Sequence, residues 1–162
     1  MLKKNLFLSA LAMLAFGAAV TSCKNAEDNP TTVPSTSMYT ATLNGANEKP
    51  SSTTSPATGT FTGSLNETTR VLSYTVTYAG FPTSTTVNGA HLHRVIPNDA
   101  SGVNGVNPTP EIFFPSLTSP ITGSTSALSA ARVDSLKKGF YYANIHTNTY
   151  PSGAIRGNVT VR

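Results

Sequence analysis

The chain has 162 residues, with eleven Lys or Arg against seven Asp or Glu, three His and one Cys, for a formal charge of +4. Its basic residues are scattered singly apart from Lys137-Lys138, which excludes the basic stripe of a nucleic-acid binder, and one cysteine excludes a disulfide within one chain. Few charges with abundant Thr, Ser, Asn and Gly fit an exported β-protein.

Lys3 and Lys4, followed by an apolar run from Leu6 to Val20, read as a secretory signal peptide over residues 1–22. The run is too short for a comfortable transmembrane span. Val20-Thr21-Ser22-Cys23 resembles the lipobox of bacterial lipoprotein precursors, which implies cleavage before Cys23 and acylation of that cysteine as a membrane anchor. Removing Lys3 and Lys4 lowers the formal charge from +4 to +2, so the basic excess says little about partners. Residues 23–37 then form a lipidated Cys and a polar, Pro-containing tether, and residues 38–162 a domain large enough to need no covalent staple. Glu27-Asp28 resembles an export signal to the outer face of the outer membrane. The expected location is the cell envelope, lipid-anchored to the outer membrane on its periplasmic or surface face.

From Met38 onward the apolar period is two. Tyr39, Ala41 and Leu43 alternate with Thr40 and Thr42 up to Asn44-Gly45. Residues 58–65 repeat the pattern, and residues 70–79 are the clearest strand, with Leu72, Tyr74, Val76 and Tyr78 on one face. The short polar link between these two predicts an antiparallel hairpin. Another strand is expected over 86–95, followed by a Pro/Asn/Gly loop over 97–110 and short strands over 111–117 and 120–127. Leu128, Ala131, Val133 and Leu136 lie near helical spacing with Gly139 as a stop, so one short helix is expected within 126–138. Strands return over 139–147 and 154–162, separated by a turn at 148–153. Seven or eight short strands without a βαβ rhythm predict an all-β, antiparallel, Greek-key-like β-sandwich or barrel.

All three histidines fall at strand ends, as His91-Leu92-His93 and as His146 in Asn144-Ile145-His146. Residues two apart in a strand share a face, roughly 7 Å apart along the backbone. If Ala90, Leu92, Tyr141, Ala143 and Ile145 all line the core, the three imidazoles leave the other side of the sheet together and converge if the two strands are neighbours. Three imidazoles would suit Zn or Cu with one position left open. They would equally serve, with Asn144, to anchor the 97–110 loop and the 148–153 turn by hydrogen bonds to backbone. Arg156 is expected to clamp a carboxylate such as Glu48 or Glu111, with Gly157 marking a bulge that aims it; the alternative is ligand binding, and Arg156, Glu48 and Asn144 stand as structural or ligand-binding candidates. Glu48 itself lies in a Pro-containing loop and reads equally as a partner of Arg156 or as a backbone anchor. No nucleophile elbow, phosphate loop, dinucleotide fingerprint or His-Glu-x-x-His helix is present. Asp134-Ser135-Leu136 resembles a short bacterial O-glycosylation site.

Four blocks resemble the CHRD domain, the module repeated in chordin and found singly in bacterial secreted proteins. They are Thr42-Leu43-Asn44-Gly45-Ala46-Asn47-Glu48-Lys49-Pro50, Ala57-Thr58-Gly59-Thr60-Phe61, Ala90-His91-Leu92-His93, and Tyr141 to Thr147 running on to Pro151-Ser152-Gly153-Ala154-Ile155-Arg156-Gly157. Lys49, Ser51 and Ala154 depart from the usual pattern. The resemblance implies an immunoglobulin-like or superoxide-dismutase-like sandwich in the cell envelope or outside the cell, and it does not imply a reaction. A dismutase site needs more imidazoles than this chain has, so fold analogy does not carry that activity across. The expectation is a non-enzymatic, lipid-anchored binding or adhesion module with a protein or glycan ligand and no established cofactor. The alternative is a Zn- or Cu-binding envelope protein using His91, His93 and His146.

Overall fold

The computed structural model describes residues 35–95, 97 and 105–162. Cys23 and the segments expected as a signal peptide and, for the most part, as a tether lie outside the described residues. Among the described residues eight strands form: β1 (Thr36–Asn44), β2 (Thr58–Asn66), β3 (Leu72–Ala79), β4 (Val87–Arg94), β5 (Ile112–Phe113), β6 (Ile121–Ser124), β7 (Tyr141–Thr147) and β8 (Ile155–Val161), with one helix, α1 (Ala130–Lys137), between β6 and β7. All are joined in one antiparallel sheet in the order β5-β4-β7-β8-β1-β2-β3-β6. The expected all-β architecture with a short helix is present, and residues 58–65 and 70–79 pair as the predicted hairpin.

Alternation builds the core. Tyr39, Ala41 and Leu43 of β1, Phe61 and Leu65 of β2, Leu72, Tyr74 and Val76 of β3, Ala90 and Leu92 of β4, Tyr141, Ala143 and Ile145 of β7, and Ile155 and Val159 of β8 are all buried in one cluster. One sheet can enclose one core only by curling over its own inner face, which gives it a sandwich-like section. Phe114, just past edge strand β5, supplies the closure by packing on Tyr74 of β3 with ring centroids 5.1 Å apart. Tyr74 in turn lies 6.0 Å from Phe61. The chain then crosses to the opposite edge, where Tyr78 donates its hydroxyl to the Leu117 carbonyl and its N–H to Ser119 Oγ.

Several boundaries differ from the periodicity alone. β1 begins at Thr36, whose Cα partner is Asn66, so the last residues assigned to the tether already belong to the sheet. β5 has two residues and β6 four, because Pro115 and Pro120 cannot donate to a ladder. In α1 the Ser129 side chain accepts from Arg132 N–H, Val133 and Leu136 are buried, and Gly139 follows as the stop. Ser135 is buried on that helix and donates to the Ala131 carbonyl, so it offers no surface for glycosylation. The bulge expected at Gly157 is absent, since β7 and β8 stay in register from Tyr141↔Val159 to Ile145↔Ile155. Gly157 instead permits close approach: a Cβ there would lie 2.5 Å from the Thr42 carbonyl oxygen. The register shift falls in β4, between Val87 and Gly89. Among the described residues no helix is long and apolar enough to cross a membrane.

If Phe114 closes the curl, Phe114→Ala should cost about 3 kcal/mol of stability in urea unfolding, the scale of a buried aromatic truncation. A loss below about 1 kcal/mol would show that the two ends of the sheet hold together without it.

Candidate metal centre

β4 and β7 are neighbours with His91 opposite Asn144, His93 opposite Tyr142 and Gly89 opposite His146. Their inner faces carry Ala90, Leu92, Tyr141, Ala143 and Ile145, so His91, His93, Tyr142, Asn144 and His146 share the outer face. β8 extends the rows, placing Arg156 opposite Asn144 and Asn158 opposite Tyr142. The three imidazoles therefore converge as their spacing suggested. Ring centroids are 4.6 Å apart for His91–His93 and for His91–His146, and 6.1 Å for His93–His146. Each ring offers one nitrogen such that all three lie within 4.8 Å of one another, and among the described residues this is the one such group of three.

This outer face is not a solvated one. His91 and His93 are 8% and 3% exposed, and His91 Nδ1, both nitrogens of His93 and His146 Nε2 are buried without a hydrogen-bond partner. Buried polar atoms ordinarily find partners, so four orphaned ring nitrogens in one cluster require a reason. His146 carries a further constraint: its Nδ1 lies 2.9 Å from the Pro151 carbonyl. A carbonyl only accepts, so Nδ1 bears the proton and the Nε2 lone pair is left facing the cluster. Metal-bound histidines are commonly held in this way, one nitrogen fixing the tautomer while the other ligates. The same bond ties down the 148–153 turn, so the anchoring role and the ligand role coexist in one ring.

Electrostatics keep the rings neutral. Burial, followed by the neighbouring His93 and His146 imidazoles, holds the His91 pKa down to about 3. Burial and then His146 bring His93 to about 4; the backbone of Asn107 and Thr109 eases this without giving either nitrogen a bond of ordinary geometry. His146 is also lowered by burial, with the Pro151 carbonyl acting against it. Neutral imidazole is the form that binds a metal.

Around the histidines lies a second polar layer. Tyr142 stacks on His93 with centroids 4.7 Å apart and planes 6° from parallel, and the Arg156 guanidinium carbon lies 3.5 Å from the Tyr142 ring centre. Tyr142 is thus held between an imidazole and a cation. Its hydroxyl donates to the Asn107 carbonyl (3.0 Å) and accepts from Asn107 N–H (3.3 Å). Arg156 makes no ion pair with a described carboxylate, contrary to the expected clamp. It is buried and donates through Nη2 to the Gly105 carbonyl at 2.7 Å. Glu111 is already engaged by Arg94 at 2.8 Å and by Arg132. Glu48 is 3% exposed, with Oε1 unpartnered, and desolvation pushes its carboxyl up to about 7 against the pull of Arg156. The carboxylate and the Asn144 amide both crowd Gly153, where a Cβ would meet Glu48 Oε2 at 2.6 Å and Asn144 Nδ2 at 2.8 Å. With φ at +136°, that position accepts only glycine comfortably.

Tyr142 was legible as a site residue, since it alternates in phase with Asn144 and His146. Asn107 carries no such signal, because its place depends on how the 97–110 loop returns to the sheet.

Fold and site together define an all-β domain in which one sheet face gathers three neutral imidazoles over an aromatic and cationic support. The family model of the CHRD domain matches residues 39–159, and the chain belongs to that family. No curated protein and no solved structure matches it.

The depressed histidines predict a pH dependence for the metal-free protein. Between the ordinary histidine pKa of 6.5 and the folded values of about 3 and 4, the unfolded chain binds more protons than the folded one. The histidine contribution to stability should therefore be full above pH 6.5 and fall as pH drops toward 4, while the raised Glu48 carboxyl acts in the opposite sense, losing its contribution as pH rises toward about 7. NMR titration of the ring protons should find His91 and His93 still neutral at about pH 5.5, above both folded values. Midpoints near 6.5 for both would contradict the buried cluster.

Proposed function

We propose that this CHRD domain is a non-enzymatic binding module whose ligand is a transition-metal ion, Zn or Cu, held by His91, His93 and His146. One observation carries the reading: three neutral imidazoles bring ligating nitrogens within 4.8 Å of one another, with four ring nitrogens buried and unpartnered. Nitrogens sharing a tetrahedral ion lie about 3.3 Å apart, given Zn–N bonds of about 2.0–2.1 Å. Small side-chain rotations would close that gap. Imidazole suits Zn and Cu alike, and three protein ligands leave one position for water or an exogenous donor. Binding would give the orphaned lone pairs a partner and exploit the neutral state that burial enforces.

The module's placement rests on the sequence. The basic start, the apolar run and Val20-Thr21-Ser22-Cys23 support a chain cleaved before Cys23 and anchored by lipid in the cell envelope.

Elemental analysis of the purified full chain, after equilibration with Zn or Cu and removal of free ion, should give about one equivalent of metal. The variant with His91, His93 and His146 all changed to Ala should retain none. Bound metal should also raise the melting temperature of the parent chain, as any ligand of the folded state does. Sub-stoichiometric metal in both proteins would sink the proposal. For the anchor, Cys23→Ala should move the protein from the membrane fraction to the soluble one, and unchanged fractionation would contradict lipidation.

A further inference from the structure

A cleft lies on the same sheet face, on the side of Arg156 away from the histidines. Thr42, Ala46, Asn47, Lys49, Arg156 and Asn158 line a cleft of about 330 Å³, within the size range of small-molecule sites. Two cations and two carboxamides face it, and no carboxylate lines it.

The guanidinium is fixed rather than floating. Arg156 is 5% exposed, sits over Tyr142, and is tied by Nη2 to the Gly105 carbonyl. Among the described residues its Nε and Nη1 make no hydrogen bond, so part of a rigid donor fork is unspent. Asn158 turns Oδ1 toward Arg156 Nη2 at 3.4 Å, which leaves its amide NH₂ for the cleft. Asn47 is held in place by its own bonds, accepting nothing from the cleft: its Nδ2 reaches the Thr42 carbonyl at 3.1 Å and its N–H reaches Asn44 Oδ1 at 2.9 Å. Lys49, exposed at the rim, adds a mobile positive charge. The opposing charge is Glu48, whose field reaches Arg156, but its side chain lines a different cleft with Tyr150 and Pro151.

We infer that this cleft binds a small oxyanion, the carboxylate, sulfate or phosphate group of a soluble molecule or of an acidic glycan, with Arg156 and Asn158 as fixed donors and Lys49 as the closing charge. A preorganised guanidinium with unused donors in a carboxylate-free cleft is the arrangement that recognises such groups. The site is independent of the metal reading, because no histidine lines it.

The test is an NMR titration of the isotope-labelled full chain with inorganic phosphate, sulfate and glucuronate. At least one should produce saturable shifts of the Asn158 side-chain amide and the Arg156 Nε–H. Preference among the three tells carboxylate from sulfate or phosphate chemistry. Replacing Arg156 risks the fold, so the deciding variants are Lys49→Glu and Asn158→Asp, both at exposed positions. Each puts a carboxylate into the cleft and should weaken binding at least about tenfold, since like charges across an interface are costly, with the melting temperature retained. Shifts that stay linear for all three anions, or affinities unchanged in both variants, would overturn the proposal.

Discussion

The pairing of β4 with β7 is the constraint on which the rest of this structure depends. Neither strand reads as amphipathic in the ordinary way, since both faces of each are buried where they meet. Ala90, Leu92, Ala143 and Ile145 commit the inner face to the core. Once they do, the pleat leaves no choice about the outer face: His91, His93, Tyr142, Asn144 and His146 must stand together on it. A one-residue slip of either strand would send imidazoles into the core and aliphatic side chains out. The site's geometry is therefore enforced by hydrophobic burial behind it, a stronger restraint than the site's own hydrogen bonds could supply.

Burying that outer face is costly. Ring nitrogens without partners, a carboxyl held near neutrality and a guanidinium without a described carboxylate each carry a desolvation penalty. What the domain obtains is rigidity, because each group rests on strand backbone or is stacked against another, as in the His93–Tyr142–Arg156 pile. Clusters that are expensive when empty and rigid when filled are a common form of binding site.

Much of this was legible in the chain itself. Period-two alternation located the strands and assigned the three histidines to the face away from the core, and the helix declared itself through its spacing and Gly139. The adjacency of β4 and β7 was not legible, since it joins segments about fifty residues apart through a crossover that no local pattern records. The partner of Arg156 was misread for a related reason. Residue chemistry favours a carboxylate for a buried arginine, but register places Tyr142 beneath it, while Arg94 and Arg132 converge on Glu111. Gly157 looked like a bulge because glycine in a strand has two common causes, and only the distance to the Thr42 carbonyl distinguishes them.

The early start of β1 has a consequence for orientation. The row of outer residues that contains His91, Asn144 and Arg156 ends on Asn44, the last residue of β1, whereas the chain enters that strand at Thr36. Eight residues of extended strand separate the two, about 26 Å at the usual rise. The point at which the chain enters β1 thus lies at the pole of the sheet opposite the imidazoles. The histidines and the neighbouring cleft share one end of the sheet, and its body stands between them and the entry of β1.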